Sequence, residues 1–174
     1  MSDWLHYFAY GSNMYPPRLR ERTPSSRHLG TAVLPGYRLA FHQVSRGDGS
    51  AKCNIVPVGD GQHTVYGVVY AVHREERPVL DRAEDLDYGY RLVDLAVRQA
   101  TGWREAFCYV AVPGTIDDRA RPFRWYRDLV LRGALEHGFP RPYVEAIRAE
   151  PAVEDPDPER SAHHEDLLGF SVRP

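Results

Sequence analysis

The fold of this chain is constrained above all by a succession of short strand-like stretches between residues 4 and 112. Within residues 37–44, apolar side chains alternate with other residues, which is the period of two expected of a half-buried strand. Two glycine-bracketed turns, at residues 47–49 and 59–61, interrupt the series, and the second is typical of a hairpin. The strand-like stretches are residues 4–10, 31–33, 37–44, 54–58, 63–72, 90–98 and 104–112.

Other segments have the spacing of amphipathic helices. In the first of them Val79, Ala83 and Leu86 recur three to four residues apart. A further short helix is expected after Asn13, with the two prolines that follow confined to its first turn. Strands with interspersed helices predict an α+β domain built on a mixed or antiparallel curved sheet. The longer predicted helices are residues 75–86, 124–137 and 142–149.

Length and charge limit the class of protein. The 174 residues suffice for about one domain. We assign residues 1–150 to that domain and residues 151–174, which mix prolines with acidic residues, to a surface tail. The net charge of −2 argues against a nucleic-acid-binding or polybasic membrane surface. The longest apolar stretch, residues 65–72, is far shorter than the about 18 residues of a membrane helix.

The first four residues and the two cysteines favour a cytoplasmic protein. Residues 1–4 lack the basic and apolar regions of a secretory signal. Cys53 and Cys108 are too few and too far apart for a disulfide framework or a CxxC site. We interpret both as small buried side chains in a reducing compartment.

A small-residue turn, Gly11-Ser12-Asn13, ends the aromatic first strand. Glycine permits a positive φ and a close approach of ligand to backbone. If a helix follows, its unpaired N–H groups and those of the turn suit a carboxylate or a developing oxyanion. The alternative is a plain strand-to-helix turn in which Ser12 or Asn13 caps the helix.

Glu84 is the second candidate, because it lies at the margin of the apolar stripe of the helix predicted over residues 75–86. A half-desolvated carboxylate has a raised pKa and is a competent base near neutral pH. The alternative is a solvent-facing helix glutamate.

Two further candidates are weaker. The run His163-His164-Glu165-Asp166 contains metal-ligating residue types, but adjacent side chains diverge and the HExxH spacing is absent, so a solvated segment is expected there. Ser12 lacks the GxSxG surroundings of a nucleophile.

Taken together, the motifs resemble the γ-glutamylcyclotransferase family over about residues 4–150. The resemblance is specific because the motifs occur in the family's order. They are the run Tyr-Phe-Ala-Tyr-Gly-Ser-Asn-Met at residues 7–14, Val-Tyr-Gly-Val-Val-Tyr at 65–70, Leu80 to Glu84 with Gly89 and Tyr90, and Tyr126 with Gly133, Ala134, Gly138, Phe139, Pro140 and Tyr143.

The resemblance implies a small mixed or antiparallel β-barrel with flanking helices and one pocket. It also implies an enzyme of acyltransferase or lyase type that splits a small γ-glutamyl compound into 5-oxoproline and a free amine. Glu84 takes the family's acid/base position, and no cofactor or metal is implied. The sequence leaves the oligomeric state, monomer or homodimer, open. The implied substrate-binding residues are Tyr7, Phe8, Ala9, Tyr10, Gly11, Ser12, Asn13 and Tyr126.

This chemistry requires little from the protein. The α-amine of the substrate attacks its own γ-carbonyl, and intramolecular attack reaches effective molarities of about 10⁵ M or more when the geometry is held. One carboxylate can remove the ammonium proton and return it to the leaving amine. Whether the N–H groups of the Gly11 turn bind the α-carboxylate or the oxyanion stays open. So does the leaving amine, for which an amino acid, an ε-lysyl group, a polyamine and an antibiotic intermediate are all compatible with the sequence.

One residue departs from the family pattern. Asp85 stands where many members have glycine, and its carboxylate is expected to raise the pKa of Glu84 further. Two other functions remain alternatives. One is the same fold acting on another small carboxylated amide in urea-derivative metabolism, and the other is a non-catalytic module that binds a small acid.

Overall fold

The computed structural model describes residues 3–59 and 61–169. Short helices flank and follow the strands. The strands are β1 (Trp4–Ala9), β2 (Arg27–Pro35), β3 (Tyr37–Val44), β4 (Ala51–Pro57), β5 (Thr64–His73), β6 (Tyr90–Gln99) and β7 (Gly102–Ala111). The helices are α1 (Pro16–Arg20), α2 (Arg77–Ala83), α3 (Arg124–Glu136), α4 (Arg141–Ala149) and α5 (Pro158–Leu167), with 3-10 turns at Ser12–Met14 and Pro113–Thr115.

Within the described ranges, five strands close into a barrel in the order β1-β5-β2-β6-β7. β5 lies between β1 and β2 and pairs antiparallel with both, and β6 pairs antiparallel with β7. The barrel closes through a parallel contact between β1 and β7 at Tyr7 and Phe107. Because β5 is central, its apolar run from Val65 to Val72 is almost wholly buried. The predicted α+β barrel with flanking helices is confirmed.

The hairpin prediction for residues 59–61 is wrong. The hairpin forms instead around residues 47–49, where β3 and β4 pair antiparallel as a separate two-stranded sheet. Residues 59–61 connect β4 to β5, which belong to different sheets. Asp60 itself lies outside the described residues. A turn signature thus marked a chain reversal but did not determine which strands pair.

The helix predicted over residues 75–86 is shorter than expected. α2 ends at Ala83, and Glu84 is its C-cap residue. The reason is that Asp85 adopts a positive φ of 51°, which stops the helix. Aspartate tolerates this left-handed conformation better than most residues, and glycine tolerates it without strain. The backbone at this position therefore accommodates either Asp85 or the glycine that the resemblance leads us to expect.

Within the part described, the segment after residue 150 is mostly exposed, but it is attached to the domain by specific contacts. Val153 pairs with Phe123 through main-chain hydrogen bonds, and Asp157 caps α5 by accepting from two N–H groups of its first turn. His164 is 6% exposed and stacks on Trp125, with ring centroids 3.8 Å apart. The expectation of a solvated 163–166 segment is wrong for His164, because the aromatic face of α3 buries it.

α3 positions the turn that follows β1. Gly133 faces the 3-10 turn so closely that a Cβ there would lie 2.8 Å from the Cβ of Met14 and 3.0 Å from the backbone nitrogen of Tyr15. Tyr70 and His137 donate hydrogen bonds to the carbonyl of Met14, both at 2.8 Å. The turn is therefore held from the barrel side and from the helix side. Among the helices described, none has the length and apolar character needed to cross a membrane.

Candidate active site

A cavity of about 290 Å³ opens where β1 ends at the barrel rim. Tyrosines make up much of its wall, and Glu84 is the one carboxylic acid among the described residues that line it. The lining residues are Tyr7, Tyr10, Gly11, Ser12, Asn13, Cys53, Glu84, Tyr90, Tyr109 and Tyr126. Residues far apart in sequence therefore share one pocket.

The turn after β1 supplies main-chain donors to this cavity. The 3-10 turn Ser12–Met14 begins directly after Gly11. Its bonds run from the N–H of Met14 to Gly11 and from the N–H of Tyr15 to Ser12. Across residues 3–59 and 61–169 the N–H groups of Gly11, Ser12 and Asn13 have no backbone acceptor. These N–H groups are therefore available to an anionic group of a ligand.

Gly11 is required for a different reason from the one expected. Its φ is −113°, so a positive φ is not used. A Cβ at this position would lie 3.1 Å from the Cβ of Cys53 and 3.3 Å from the hydroxyl oxygen of Tyr126. The glycine therefore serves close packing at the cavity wall rather than a positive φ.

Glu84 reaches the cavity because α2 ends there. Its side chain is 18% exposed, and its Oε1 accepts hydrogen bonds from Asn13 Nδ2 at 2.9 Å and from Arg22 at 2.7 Å. Its other oxygen, Oε2, receives no hydrogen bond from the residues described. One oxygen is thus fixed and the other is free to contact a ligand. The neighbouring Asp85 is paired with Arg46 at 2.6 Å.

Asn13 links the glutamate to the turn and to the barrel. Its amide nitrogen also donates to the hydroxyl of Tyr7 at 3.0 Å, and its amide oxygen accepts from Arg22 at 3.0 Å. No side chain caps the 3-10 turn by a hydrogen bond, so the simple capping role is not what Asn13 does. The Glu84 carboxylate consequently lies within one hydrogen bond of a residue of the donor turn.

The cavity tyrosines are neutral donors and acceptors at ordinary pH. Burial raises the pKa of Tyr7, Tyr10, Tyr90, Tyr109 and Tyr126 well above the usual value for a phenol. The hydroxyl of Tyr90 donates to the carbonyl of Cys53 at 2.6 Å, and that of Tyr10 donates to the carbonyl of Tyr109. Hydrogen bonds from these hydroxyls to main-chain carbonyls of other lining residues therefore hold part of the cavity wall in place.

Tyr126 connects α3 with β4 at this wall. Its hydroxyl oxygen accepts the N–H of Cys53 at 3.0 Å. Because burial keeps the phenol protonated, the hydroxyl also retains a proton that it can donate. A tyrosine held in this way presents its hydroxyl at a fixed position.

The structure gathers most of the predicted site residues, but not all of them. Glu84, Tyr7, Tyr10, Gly11, Ser12, Asn13 and Tyr126 line the cavity. Phe8 and Ala9 do not line it; they are fully buried in β1 and pair with Val69 and Val68 of β5.

Sequence reasoning missed Arg22, Tyr109 and Cys53 as site residues and gave Tyr90 no role of its own. Arg22 follows α1, only nine residues after Asn13, so its closeness to the turn was the one available signal. Tyr90 and Tyr109 lie on paired strands at the barrel rim, and no local pattern marks them. The described residues contain no cluster of histidine, cysteine, aspartate or glutamate suited to a metal ion.

Comparisons with known proteins agree with this geometry. A family model described as "Gamma-glutamyl cyclotransferase, AIG2-like" matches residues 7–127. A mouse protein named gamma-glutamylcyclotransferase is 30% identical over 149 residues, covering 82% of this chain and 77% of the relative. A human protein of the same name is also 30% identical, over 150 residues, with the same coverage. The chain therefore belongs to the γ-glutamyl cyclotransferase, AIG2-like family.

Solved structures extend the match to the whole fold. The crystal structure of an uncharacterized human protein superposes with a TM-score of 0.83 at 25% identity, covering 97% of this chain and 99% of that one. A structure named gamma-glutamyl cyclotransferase superposes with a TM-score of 0.82 at 23% identity and the same coverage. The likeness includes the segment after residue 150, since nearly all of this chain is aligned.

Proposed function

We propose that this protein is a γ-glutamylcyclotransferase that releases 5-oxoproline and a free amine from a small γ-glutamyl compound, with Glu84 as its acid/base. The observation that carries the proposal is that Glu84 lines the same cavity as Gly11, Ser12 and Asn13, whose N–H groups have no backbone acceptor among the residues described.

The reaction begins with the γ-glutamyl chain folded back on itself. Glu84 Oε2 takes a proton from the α-ammonium, and the amine then attacks the γ-carbonyl carbon to close a five-membered ring. The carbonyl electron pair moves onto oxygen and forms a tetrahedral oxyanion. As the carbonyl re-forms and the C–N bond to the leaving amine breaks, the protonated glutamate gives its proton to the leaving nitrogen. The regenerated Glu84 carboxylate then carries the second proton of the ring nitrogen to the free amine, so the lactam nitrogen ends neutral and the amine leaves as an ammonium ion.

The turn Gly11–Asn13 supplies the electrostatic part of catalysis. Its N–H groups are fixed before the reaction, so they stabilise the α-carboxylate or the oxyanion without reorganising. Removing one such donor typically raises the activation free energy of a reaction by about 3 kcal/mol. The neutral hydroxyl of Tyr126, which lies beside Gly11, adds a further donor.

The main test is Glu84→Gln, assayed for release of 5-oxoproline from γ-Glu-Ala. General acid–base catalysis is worth about 10²–10⁴-fold, so we expect kcat to fall by that factor. Affinity for γ-Glu-Ala, measured by calorimetry, is expected to change little because the turn and not the carboxylate holds the substrate. Glu75→Gln is the matched control: Glu75 precedes α2, its side chain is 88% exposed, and its loss is expected to leave kcat unchanged.

Equal turnover by the wild type and Glu84→Gln would contradict the assignment of Glu84. Absence of 5-oxoproline from every γ-glutamyl compound tested would contradict the activity itself and favour a different carboxylated amide as substrate. Binding of γ-Glu-Ala without any reaction would instead indicate a small-acid-binding module.

The proposal includes a cytoplasmic setting. Cys53 and Cys108 are free thiols, both buried, and burial raises their pKa. Such thiols are inert packing groups and are common in reducing compartments.

A further inference from the structure

The short segment between α2 and β6 brings a second carboxylate next to the proposed acid/base. Asp85 follows Glu84 directly, and both residues line an outer cavity of about 440 Å³ that shares part of its wall with the tyrosine-lined one. A like charge so close disfavours the ionised form that Glu84 needs in order to act as a base. The carboxylate of Asp85 therefore disfavours the proposed reaction unless a positive charge offsets it.

Arg46, in the loop between β3 and β4, supplies a positive charge at this point. Its Nη2 donates to Asp85 Oδ1 at 2.6 Å, and its guanidinium carbon lies 4.1 Å from the centre of the Tyr88 ring. A cation on the face of an aromatic ring is attracted by the ring's electron density. Because Asp85 and Tyr88 belong to the same segment, Arg46 contacts that segment at two residues.

The loop that carries Arg46 has hydrogen bonds of its own. Asp48 accepts from the N–H of Ser50 at 3.0 Å and from Lys52 Nζ at 2.8 Å, and the N–H of Ser45 donates to the carbonyl of Ser50 at 3.0 Å. The side chains of Arg46 and Asp85 are 59% and 36% exposed, and exposed pairs are usually weak because ordering two side chains costs entropy. A loop that is already fixed reduces that cost.

The other charged and titratable groups around Glu84 have partners of their own or stay neutral. The charged ones are Arg22, paired with Glu84 itself at 2.7 Å, Arg18, paired with Glu21 at 3.3 Å, Lys52, paired with Asp48 at 2.8 Å, and Asp81, paired with Arg77 at 3.4 Å. Burial raises the pKa of the neutral ones, which are Tyr7, Tyr90, Tyr109, Tyr126 and Cys53. Among the described residues that line the outer cavity, Asp85 is the one carboxylic acid besides Glu84.

We propose that Arg46 is a positioning residue that offsets the charge of Asp85 and thereby keeps Glu84 ionised at a lower pH than an unpaired Asp85 would allow. This inference rests on the proposed γ-glutamylcyclotransferase activity, with Glu84 as its acid/base. Arg46 acts through Asp85 and is assigned no contact with the substrate. Under this proposal, Asp85 does not influence Glu84 as an isolated carboxylate would.

The test is the pH dependence of kcat/KM for release of 5-oxoproline from γ-Glu-Ala, since its acid side reports the base of the free enzyme. At an ionic strength of about 0.01 M, where screening is weak, we expect Arg46→Gln to move the acid-side midpoint upward by about 0.5 pH unit. The double variant Arg46→Gln/Asp85→Asn should return the midpoint to the wild-type value, because both charges are then absent. Arg46→Lys keeps the charge and should keep the wild-type midpoint.

Two controls separate charge from other effects. Raising the ionic strength to about 0.5 M should shrink the shift in Arg46→Gln, because salt screens exposed charges. Arg119→Gln removes an arginine from a comparable pair, with Asp117 at 3.3 Å, that lines neither cavity, so it should leave the midpoint in place.

An unchanged midpoint in Arg46→Gln at low ionic strength would overturn the proposal while leaving the proposed function intact. So would an equal shift in Arg46→Lys, or a shift that persists undiminished in the double variant, since Arg46 would then act without its charge or without Asp85. A loss of kcat/KM by the same factor at every pH, with no shift, would indicate a structural role for the loop and would also overturn it. Failure of the wild type to release 5-oxoproline would instead contradict the proposed function.

Discussion

Asn13 is the residue through which the donor turn and the acid are held together. Its side-chain amide contacts Tyr7, Arg22 and Glu84, and its backbone belongs to the turn. Because it is 3% exposed, these bonds form in a low-dielectric setting where losing one leaves a polar partner unsatisfied. The position of the carboxylate therefore depends on an amide with no chemical role of its own.

We expect Asn13→Ala to lower kcat by about 10–100-fold, because Glu84 loses one of the two groups that fix it. The free energy of unfolding should fall by about 1–3 kcal/mol through the lost buried hydrogen bonds. Urea denaturation and 5-oxoproline release measure the two effects.

Asn54→Ala is the control for that comparison. Asn54 is also 3% exposed, accepts the N–H of Ala111 at 2.9 Å and contacts His42 at 3.0 Å. It should lose similar stability while keeping kcat near the wild-type value. If both variants lose kcat equally, Asn13 has no special part in positioning Glu84.

At the scale of elements, the contact of α3 with the 3-10 turn determines where the donor N–H groups lie. Gly133 permits this contact, since its nearest neighbours include main-chain atoms of Met14 and Tyr15 that a flexible side chain could not replace. A substitution here acts on the site through a shift of a whole helix.

Gly133→Ala should therefore reduce both stability and kcat. Alanine gains about 1 kcal/mol of helix propensity, whereas overpacking against backbone costs about 1–3 kcal/mol, so we expect a net loss of stability. Gly114→Ala is the control, because a Cβ at Gly114 meets no atom within 4 Å. Thermal melts and kcat are measured for both. A Gly133→Ala enzyme as active and stable as Gly114→Ala would show that the turn does not depend on this contact.

At the scale of the whole molecule, α5 is attached to the domain by an aromatic stack and a buried acid. The carboxylate of Asp155 accepts from Trp125 Nε1 at 2.8 Å and from Arg160 Nε at 2.6 Å. The hydrogen bonds from Arg160 lower the pKa of Asp155 to about 2, so it stays ionised down to acidic pH. His164 completes the attachment by stacking on Trp125, and its Nδ1 is buried without a partner.

This attachment makes stability depend on pH. Burial, and next the charge of Arg18, lower the pKa of His164 to about 3. The folded state therefore keeps His164 neutral, whereas the unfolded chain protonates it below about pH 6.5, so stability is full above pH 6.5 and falls as the pH drops toward 3.

Each pH unit below 6.5 lowers the free energy of unfolding by about 1.4 kcal/mol, so the loss at pH 5 is about 2 kcal/mol. His164→Phe keeps the aromatic stack but has no imidazole to protonate. Between pH 7 and pH 5 we expect its free energy of unfolding to fall by about 2 kcal/mol less than that of the wild type, as measured by urea unfolding at the two pH values. Substitution of His163, whose side chain is 58% exposed, should not flatten the profile. Identical pH profiles for the wild type and His164→Phe would contradict the buried, neutral state of His164.

The sequence by itself determined the local features of this protein. The period-two pattern predicted the observed bounds of β3, Tyr37–Val44. The positions of the two prolines predicted the first turn of α1. These features follow from backbone and side-chain preferences that act within a few residues. The motif resemblance also singled out Glu84 and the Gly11 turn, although their catalytic roles stay predictions.

Only the tertiary structure decided which distant residues meet. Closure of the barrel through β1 and β7, and the end of α2 at Ala83, bring residues 13 and 84 within one hydrogen bond. The same holds for Arg46 and for His164, whose partners come from elements packed against them. Such contacts form between segments far apart in the sequence, and the free energy of folding that stabilises them comes from the packing of the whole domain. No local pattern of residues therefore predicts them.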